Sequence, residues 1–288
     1  MPKIQGLWLP IITPFINDQI DWESYRKLID YYIGKGISGL MPLGTTGESP
    51  TVSEYELEQI VEKTIEYVGG RVPIYVGMGG NHTAKLETQL KKLERFGIDG
   101  VLSVSPYYNR PDQRGIYQHF LRVSEATRLN IVVYNIPYRT GRNIENETIR
   151  RLAELKNIVG LKDACGDIKQ TAELLLNKPD DFSILCGEDI LYYTMLTLGS
   201  DGGIMASAHL RTEEFLKIYE LMRENDFQSA LKIWGGGLSK LIPLLFAEPS
   251  PGPIKYVLKQ KGLIHSLETR LPILEVTEEL KSKLASDI

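Results

Sequence analysis

Lys162, Tyr134, Arg139 and the pair Thr45-Thr46 are the residues of this chain whose types suit amine chemistry on a small acid. Lys162 stands in Ile158-Val159-Gly160-Leu161-Lys162-Asp163, where a run of buried-type side chains ends in a lysine. So short and β-branched a run reads as a strand buried on both faces rather than a helix. A lysine at its end faces a cavity, pairs with a charge, or reaches solvent just past the strand. The first of these is the usual setting of a Schiff-base nucleophile, because desolvation favours the free amine. An ordinary lysine with a pKa near 10.4 is free amine in only about one molecule in 2,500 at pH 7. Lowering that pKa by ~3 units costs ~4 kcal/mol, within the reach of burial.

The other residues have both an ordinary and a chemical reading. The Gly44-Thr45-Thr46-Gly47-Glu48 stretch is a turn; its backbone N–H groups and hydroxyls could also hold a small carboxylate without bulky neighbours. Arg139 is either a solvated loop charge or a planar fork for a carboxylate. Tyr134 is either a core tyrosine or a phenol that passes protons beside the amine. Four histidines, His82, His119, His209 and His265, show no metal-ligand spacing, so no metal site is read. Cys165 follows Lys162 closely but has no histidine near it in sequence, which argues against a thiol nucleophile.

These residues need a frame that brings them to one face. Eight short apolar runs are predicted strands: Leu7–Ile12, Gly39–Pro42, Pro73–Gly77, Gly100–Val104, Ile131–Tyr134, Val159–Lys162, Phe182–Cys186 and Gly202–Met205. Amphipathic helices alternate with them. In the first, Tyr25, Leu28, Ile29, Tyr32 and Ile33 share a face; in the second, Leu57, Ile60, Val61, Thr64, Ile65 and Val68 do, behind a Ser53–Glu56 capping box. Further helices fit 83–96, 113–128, 146–155, 168–177, 189–198 and 212–223.

Eight strand–helix units with strands buried on both faces predict an α/β fold, a (β/α)8 TIM barrel. A doubly wound open sheet is second, since no Gly-x-Gly-x-x-Gly turn follows the first strand. Catalytic groups of such barrels lie where the strands end. Those positions hold Thr45-Thr46, Tyr107-Tyr108, Tyr134 to Gly141, Lys162, Gly187-Glu188 and Gly202-Gly203-Ile204. From about residue 225 the pattern turns helical, over 226–246, 252–261 and 272–285. The expected organisation is therefore a barrel over 1–224 and a helical extension over 225–288.

Composition narrows the class. A net charge of −4 and pI near 5.7 argue against nucleic acid or an anionic membrane as the main partner. Two cysteines make no disulfide framework, and a reducing cytoplasm is expected. Pro10 and Pro14 interrupt the apolar N-terminal run, which reads as a strand rather than a signal peptide. No apolar run is long enough to span a bilayer.

Gly44-Thr-Thr-Gly-Glu48, Pro106-Tyr-Tyr-Asn-Arg-Pro111, Tyr134-Asn-Ile-Pro137, Arg139-Thr-Gly141 and Gly160-Leu-Lys-Asp163 together resemble the dihydrodipicolinate synthase family. The wider group is the pyruvate-dependent class I aldolases, which include N-acetylneuraminate lyase. The resemblance runs from Gly6 into the helical tail, and Arg139 points to the synthase branch. It implies that Lys162 forms an imine with pyruvate and that the enamine attacks aspartate semialdehyde, giving 4-hydroxy-tetrahydrodipicolinate for lysine and diaminopimelate biosynthesis. Tyr134, Thr45 and Tyr108 would relay protons, with Tyr108 reaching a neighbouring subunit's site. Thr46 would hold pyruvate's carboxylate, Arg139 the aldehyde's, and Gly187 and Ile204 would line the pocket. No cofactor is implied, and the expected assembly is a homotetramer built as a dimer of dimers. A lyase for 2-keto-3-deoxy sugar acids or N-acetylneuraminate would use the same imine, and a keto-acid sensor without turnover is a third reading. Three departures stand out. The tail reads Pro249-Ser-Pro-Gly-Pro-Ile-Lys255 where many members have an Asn-Pro start. Tyr138 precedes Arg139 where a small residue is common, and Lys85 occupies the acidic position with which regulated relatives bind free lysine.

Overall fold

The computed structural model describes residues 3–285; residues 1–2 of the expected barrel and 286–288 of the expected tail lie outside the described residues. The chain forms two compact units, one of the residues up to Gly6 with Ile74–Ile204, the other of Leu7–Pro73 with Met205 onward.

In the second of these, β1 (Gly6–Leu9, its first residue apart) pairs in parallel with β2 (Gly39–Leu40), Trp8 opposite Gly39. A side chain at Gly39 would lie 2.2 Å from the Trp8 ring, so the indole dictates the glycine. Both predicted strands run longer than the observed ones. Pro10 and Pro42 have no N–H for a ladder, and the strands end before them. Ile11 and Ile12 remain buried, and the chain turns back through a hairpin, Phe15–Ile16 with Gln19–Ile20. Left-handed Asn17 and Asp18 close that hairpin, as two-residue turns demand.

Helix Trp22–Lys35 starts on the Asp21 carboxylate, which accepts from Ser24 N at 3.0 Å, and ends at left-handed Gly36. It buries Tyr25, Leu28, Ile29 and Tyr32 as its period requires, while Ile33 is half-buried. Helix Glu54–Val68 begins on the predicted capping box and buries Ile60, Val61, Thr64 and Val68; Leu57 and Ile65 are half-buried. The predicted helix 212–223 starts earlier, at Ala208, with a kink at Arg211.

The tail departs further from its period. The predicted helix 226–246 divides into Phe227–Ile233, a π-helical Trp234–Leu238 and Ser239–Leu245. Three consecutive glycines, Gly235 to Gly237, fall at the break, where helix propensity is poorest. Helix Gly252–Gln260 matches its prediction. The predicted helix 272–285 begins only at Glu278, because Thr277 Oγ1 caps it, accepting from Leu280 N at 3.3 Å.

Among the described residues, the first unit holds six strands: β3 (Tyr75–Gly77), β4 (Gly100–Val104), β5 (Asn130–Asn135), β6 (Ile158–Asp163), β7 (Ser183–Cys186) and β8 (Gly202–Ile204). Each pairs in parallel with the next in chain order. That order needs a crossover between every pair, which the intervening helices supply. β4 has its predicted limits, and β5 and β6 run one residue further at each end. Among the described residues, no helix is long and apolar enough to cross a membrane.

Candidate active site

The β5–β6 ladder slips once. Ile131 pairs with Ile158 but Val132 with Gly160, so Val159 is an extra residue in β6. Beyond the slip Tyr134 stands opposite Lys162, and paired residues of neighbouring strands project to the same face. The Lys162 ammonium nitrogen lies 4.3 Å from the centre of the Tyr134 ring. Both side chains are 7% exposed. Burial pulls the Lys162 pKa down to about 8, aided by Arg139 and opposed by Asp189, Cys186 and Glu188. A tenth of the lysine is then free amine at pH 7, roughly. Burial pushes the Tyr134 hydroxyl well above its ordinary pKa, so near neutrality it is a protonated phenol.

Gly187, just past β7, donates its N–H to Asp163 O at 2.7 Å. A Cβ on it would lie 2.7 Å from Lys162 Cγ and 3.0 Å from Cε. The glycine thus leaves room for the lysine's methylenes to lie against the backbone. Ile204, the last residue of β8, is fully buried. The Asp163 carboxylate is occupied in supporting the strand end, accepting from Thr171 Oγ1 at 2.6 Å and Cys165 N at 3.1 Å. Burial raises the Cys165 thiol to about 12, so at neutral pH it is held as the thiol.

Arg139 rides on a one-turn helix, Pro137–Thr140, closed by left-handed Gly141. A side-chain network that the sequence did not suggest holds the following loop. Asn135 donates to Asn143 Oδ1 at 2.8 Å, Asn143 to Gln170 Oε1 at 2.7 Å, and Gln170 to Ile144 O at 2.9 Å. Arg139 Nε donates to the Tyr138 hydroxyl at 3.1 Å, and the guanidinium stands 5.1 Å over the Tyr138 ring. Arg110 Nε reaches across to Gly141 O at 2.8 Å, tying the Tyr108 loop to the Arg139 loop. Tyr108 itself has φ 70° and is 90% exposed. The structure therefore brings Lys162, Tyr134 and Gly187 together and leaves the Tyr108 phenol in solvent.

In the other unit, the Thr45-Thr46 turn is closed by Gly47 N to Gly44 O and Glu48 N to Thr45 O, both 3.1 Å. Thr46 is buried and Thr45 exposed. Thr13 Oγ1 donates to Gly47 O at 2.7 Å. Glu48 adopts a left-handed backbone, φ 54°, and its buried carboxylate stands 2.5 Å from the Lys255 ammonium. Neither partner of that pair has a role in the sequence reading. Glu48 ends the Gly44-Thr-Thr-Gly-Glu48 motif, and Lys255 is a lysine inside the otherwise apolar stretch Pro253-Ile254-Lys255-Tyr256-Val257-Leu258. Among the described residues, no cluster of three or more His, Cys, Asp or Glu could hold a metal ion.

A family model described as the dihydrodipicolinate synthetase family matches residues 3–288. The chain belongs to that family. Its relatives include 4-hydroxy-tetrahydrodipicolinate synthase 2 of Clostridium acetobutylicum, 59% identical over 98% of both chains. A solved dihydrodipicolinate synthase from Thermotoga maritima superposes with a TM-score of 0.96 at 38% identity, covering 99% of this chain and 97% of that one. A chloride-inhibited synthase from Acinetobacter baumannii, solved in complex with pyruvate, gives 0.95 at 34% identity, with 99% and 98% covered. Membership makes the fold the eight-stranded parallel barrel of this family, with helices following the barrel.

Proposed function

We propose that the chain is a 4-hydroxy-tetrahydrodipicolinate synthase, a class I pyruvate-dependent aldolase of lysine biosynthesis. The observation that carries the chemistry is Lys162, a buried lysine with a depressed pKa lying over a buried tyrosine ring. Its free amine adds to the ketone carbon of pyruvate, and loss of water leaves an iminium. The iminium draws electrons from the methyl carbon, a proton leaves, and the enamine carbon attacks the aldehyde carbon of aspartate semialdehyde. Cyclisation by the substrate's own amine then releases Lys162. Tyr134 gives a proton to the carbinolamine hydroxyl that leaves as water and to the oxygen that becomes the new hydroxyl, relayed through Thr45 and through Tyr108 of a neighbouring copy. Thr46 holds pyruvate's carboxylate, Arg139 that of the aldehyde, and Gly187 and Ile204 shape the pocket.

The exposed Tyr108 phenol supports an assembly in which that side chain completes another copy's site, read as a homotetramer. The same reading makes the segment from 225 a helical appendage of the barrel and puts the enzyme in the cytoplasm. Names of relatives sharing up to 59% of the sequence favour the synthase over a sugar-acid lyase. Borohydride reduction in the presence of pyruvate tests the imine. One reduced pyruvate adduct is expected on the peptide containing Lys162, and none in Lys162→Ala. An adduct on a different lysine would overturn the assignment.

A further inference from the structure

Outside the Lys162 group, the most heavily buried charges lie under the Thr45-Thr46 turn. Glu48 and Lys255 have side chains with no exposure at all, and their charged atoms stand 2.5 Å apart. Burying two ions without water costs several kcal/mol each, and hydrophobic residues of the same volume usually serve stability as well or better. Such a pair needs a reason beyond holding the unit together.

Its surroundings supply one. Lys255 projects from helix Gly252–Gln260 in the tail, donates to Glu268 O at 2.7 Å and lies 4.4 Å over the Phe15 ring. Arg270 stands 4.2 Å from the centre of the same ring; its backbone N–H donates to Glu48 Oε2 at 3.0 Å. The Arg270 guanidinium is itself clamped by Glu56 Oε1 at 2.6 Å and Oε2 at 3.0 Å, at the start of helix Glu54–Val68. Two of these contacts, the Lys255 ammonium and the Arg270 N–H, end on Glu48, and Glu48 is the residue that terminates the turn. Its N–H closes on Thr45 O, and its left-handed backbone is a conformation that a non-glycine side chain holds only when its surroundings over-determine it.

We infer that Glu48 and Lys255 are positioning residues for the reaction: their buried ion pair locks the backbone of the Thr45-Thr46 turn in the carboxylate-binding conformation. The C-terminal helical segment thereby acts on substrate binding without touching substrate. This rests on the proposed reading that Thr46 holds pyruvate's carboxylate.

The test compares Glu48→Gln/Lys255→Met, which removes both charges together, with Glu48→Asp, which keeps the charge but shortens its reach. Steady-state kinetics, thermal unfolding and borohydride trapping are followed for each. Expected is a KM for pyruvate raised about tenfold or more in both, the effect of misplacing one charge-assisted contact. Trapping of Lys162 at saturating pyruvate should stay complete, and Tm should stay within a few degrees of the parent. A parental KM in a folded variant overturns the inference. So does failure of both variants to fold, which would make the pair a requirement of folding instead. Thr46→Val separates the two levels. If it too leaves KM for pyruvate unchanged, the reading of Thr46 fails; if it raises KM while the Glu48 and Lys255 variants do not, only the positioning role fails.

Discussion

Lys162→Met should make the protein more stable at neutral pH while abolishing imine formation. Lys162 is 7% exposed, and burial brings its pKa from the ordinary lysine value of 10.5 to about 8. Between these two values the unfolded chain binds the proton that the folded chain has released. Stability therefore rises with pH across that window and is lost as pH falls to about 8. The shift is about 2.5 units at 1.36 kcal/mol each, so the charged lysine costs the folded state about 3 kcal/mol at pH 7. Methionine has nearly the same length and no charge, and removes that cost. At pH 10 the folded lysine is already neutral and the unfolded one mostly charged, which leaves a penalty of only about 1 kcal/mol. Urea unfolding of parent and variant at pH 7 and pH 10 measures both numbers. The expected gain is about 3 kcal/mol at pH 7, shrinking to about 1 kcal/mol at pH 10. A variant no more stable than the parent at pH 7 would refute the buried-charge reasoning. An equal gain at both pH values would mean that packing, not charge, had changed.

Gly187→Ala places a methyl 2.7 Å from Lys162 Cγ and 3.1 Å from Asp163 O, and only the lysine stem can yield. The rate of borohydride trapping with pyruvate should fall about 10- to 100-fold, as for a misplaced nucleophile, with the far-UV circular dichroism spectrum unchanged. Free lysine should leave the enzyme uninhibited at physiological concentrations. The resemblance read in the sequence implies that Lys85 takes the place of an acid in a lysine site, and like charges 4 Å apart repel by ~4 kcal/mol at an effective dielectric near 20. Titrating lysine at sub-saturating pyruvate checks this; half-inhibition below roughly a millimolar would show a working lysine site.

Lys162 and its strand were legible in the sequence because β6 is a hydrophobic run that ends in a lysine, and a strand buried on both faces offers that ammonium no water. The capping box at Ser53 and the face of helix Trp22–Lys35 were legible because both depend on residues within one or two helical turns. What was not legible depends on pairs distant in sequence. Nothing in a local period joins Glu48 to Lys255, or Asn135 through Asn143 to Gln170. The tail misled for the opposite reason. Residues 272–277 have an acceptable helical pattern, but the Thr277 side chain both caps the helix and bonds Glu248, fixing a later start. Likewise the π-helical break at Trp234–Leu238 follows from glycines that a hydrophobic period does not weigh.

The charges around Lys162 carry one more consequence for the proposed reaction. Burial alone favours a neutral amine, which suits the attack on a ketone. The imine that follows is different, because it withdraws electrons from the methyl carbon only while its nitrogen stays protonated, so the site must hold a positive charge there. A site built only of apolar groups would speed the first step and penalise the second. Here the depressing effect of burial is opposed by Asp189 and Glu188, at the end of β7. In Glu188 burial and Asp189 raise the carboxyl pKa, while Lys162 and Arg139 pull it back down. The acids thus raise the Lys162 pKa against the effect of burial, and the same field holds the iminium in its protonated form. Arg139 acts in the opposite sense on the lysine, so a carboxylate arriving at Arg139 offsets a positive charge beside the iminium. On this account binding of the second substrate stabilises the cation formed with the first, which couples the two halves of the condensation through electrostatics alone.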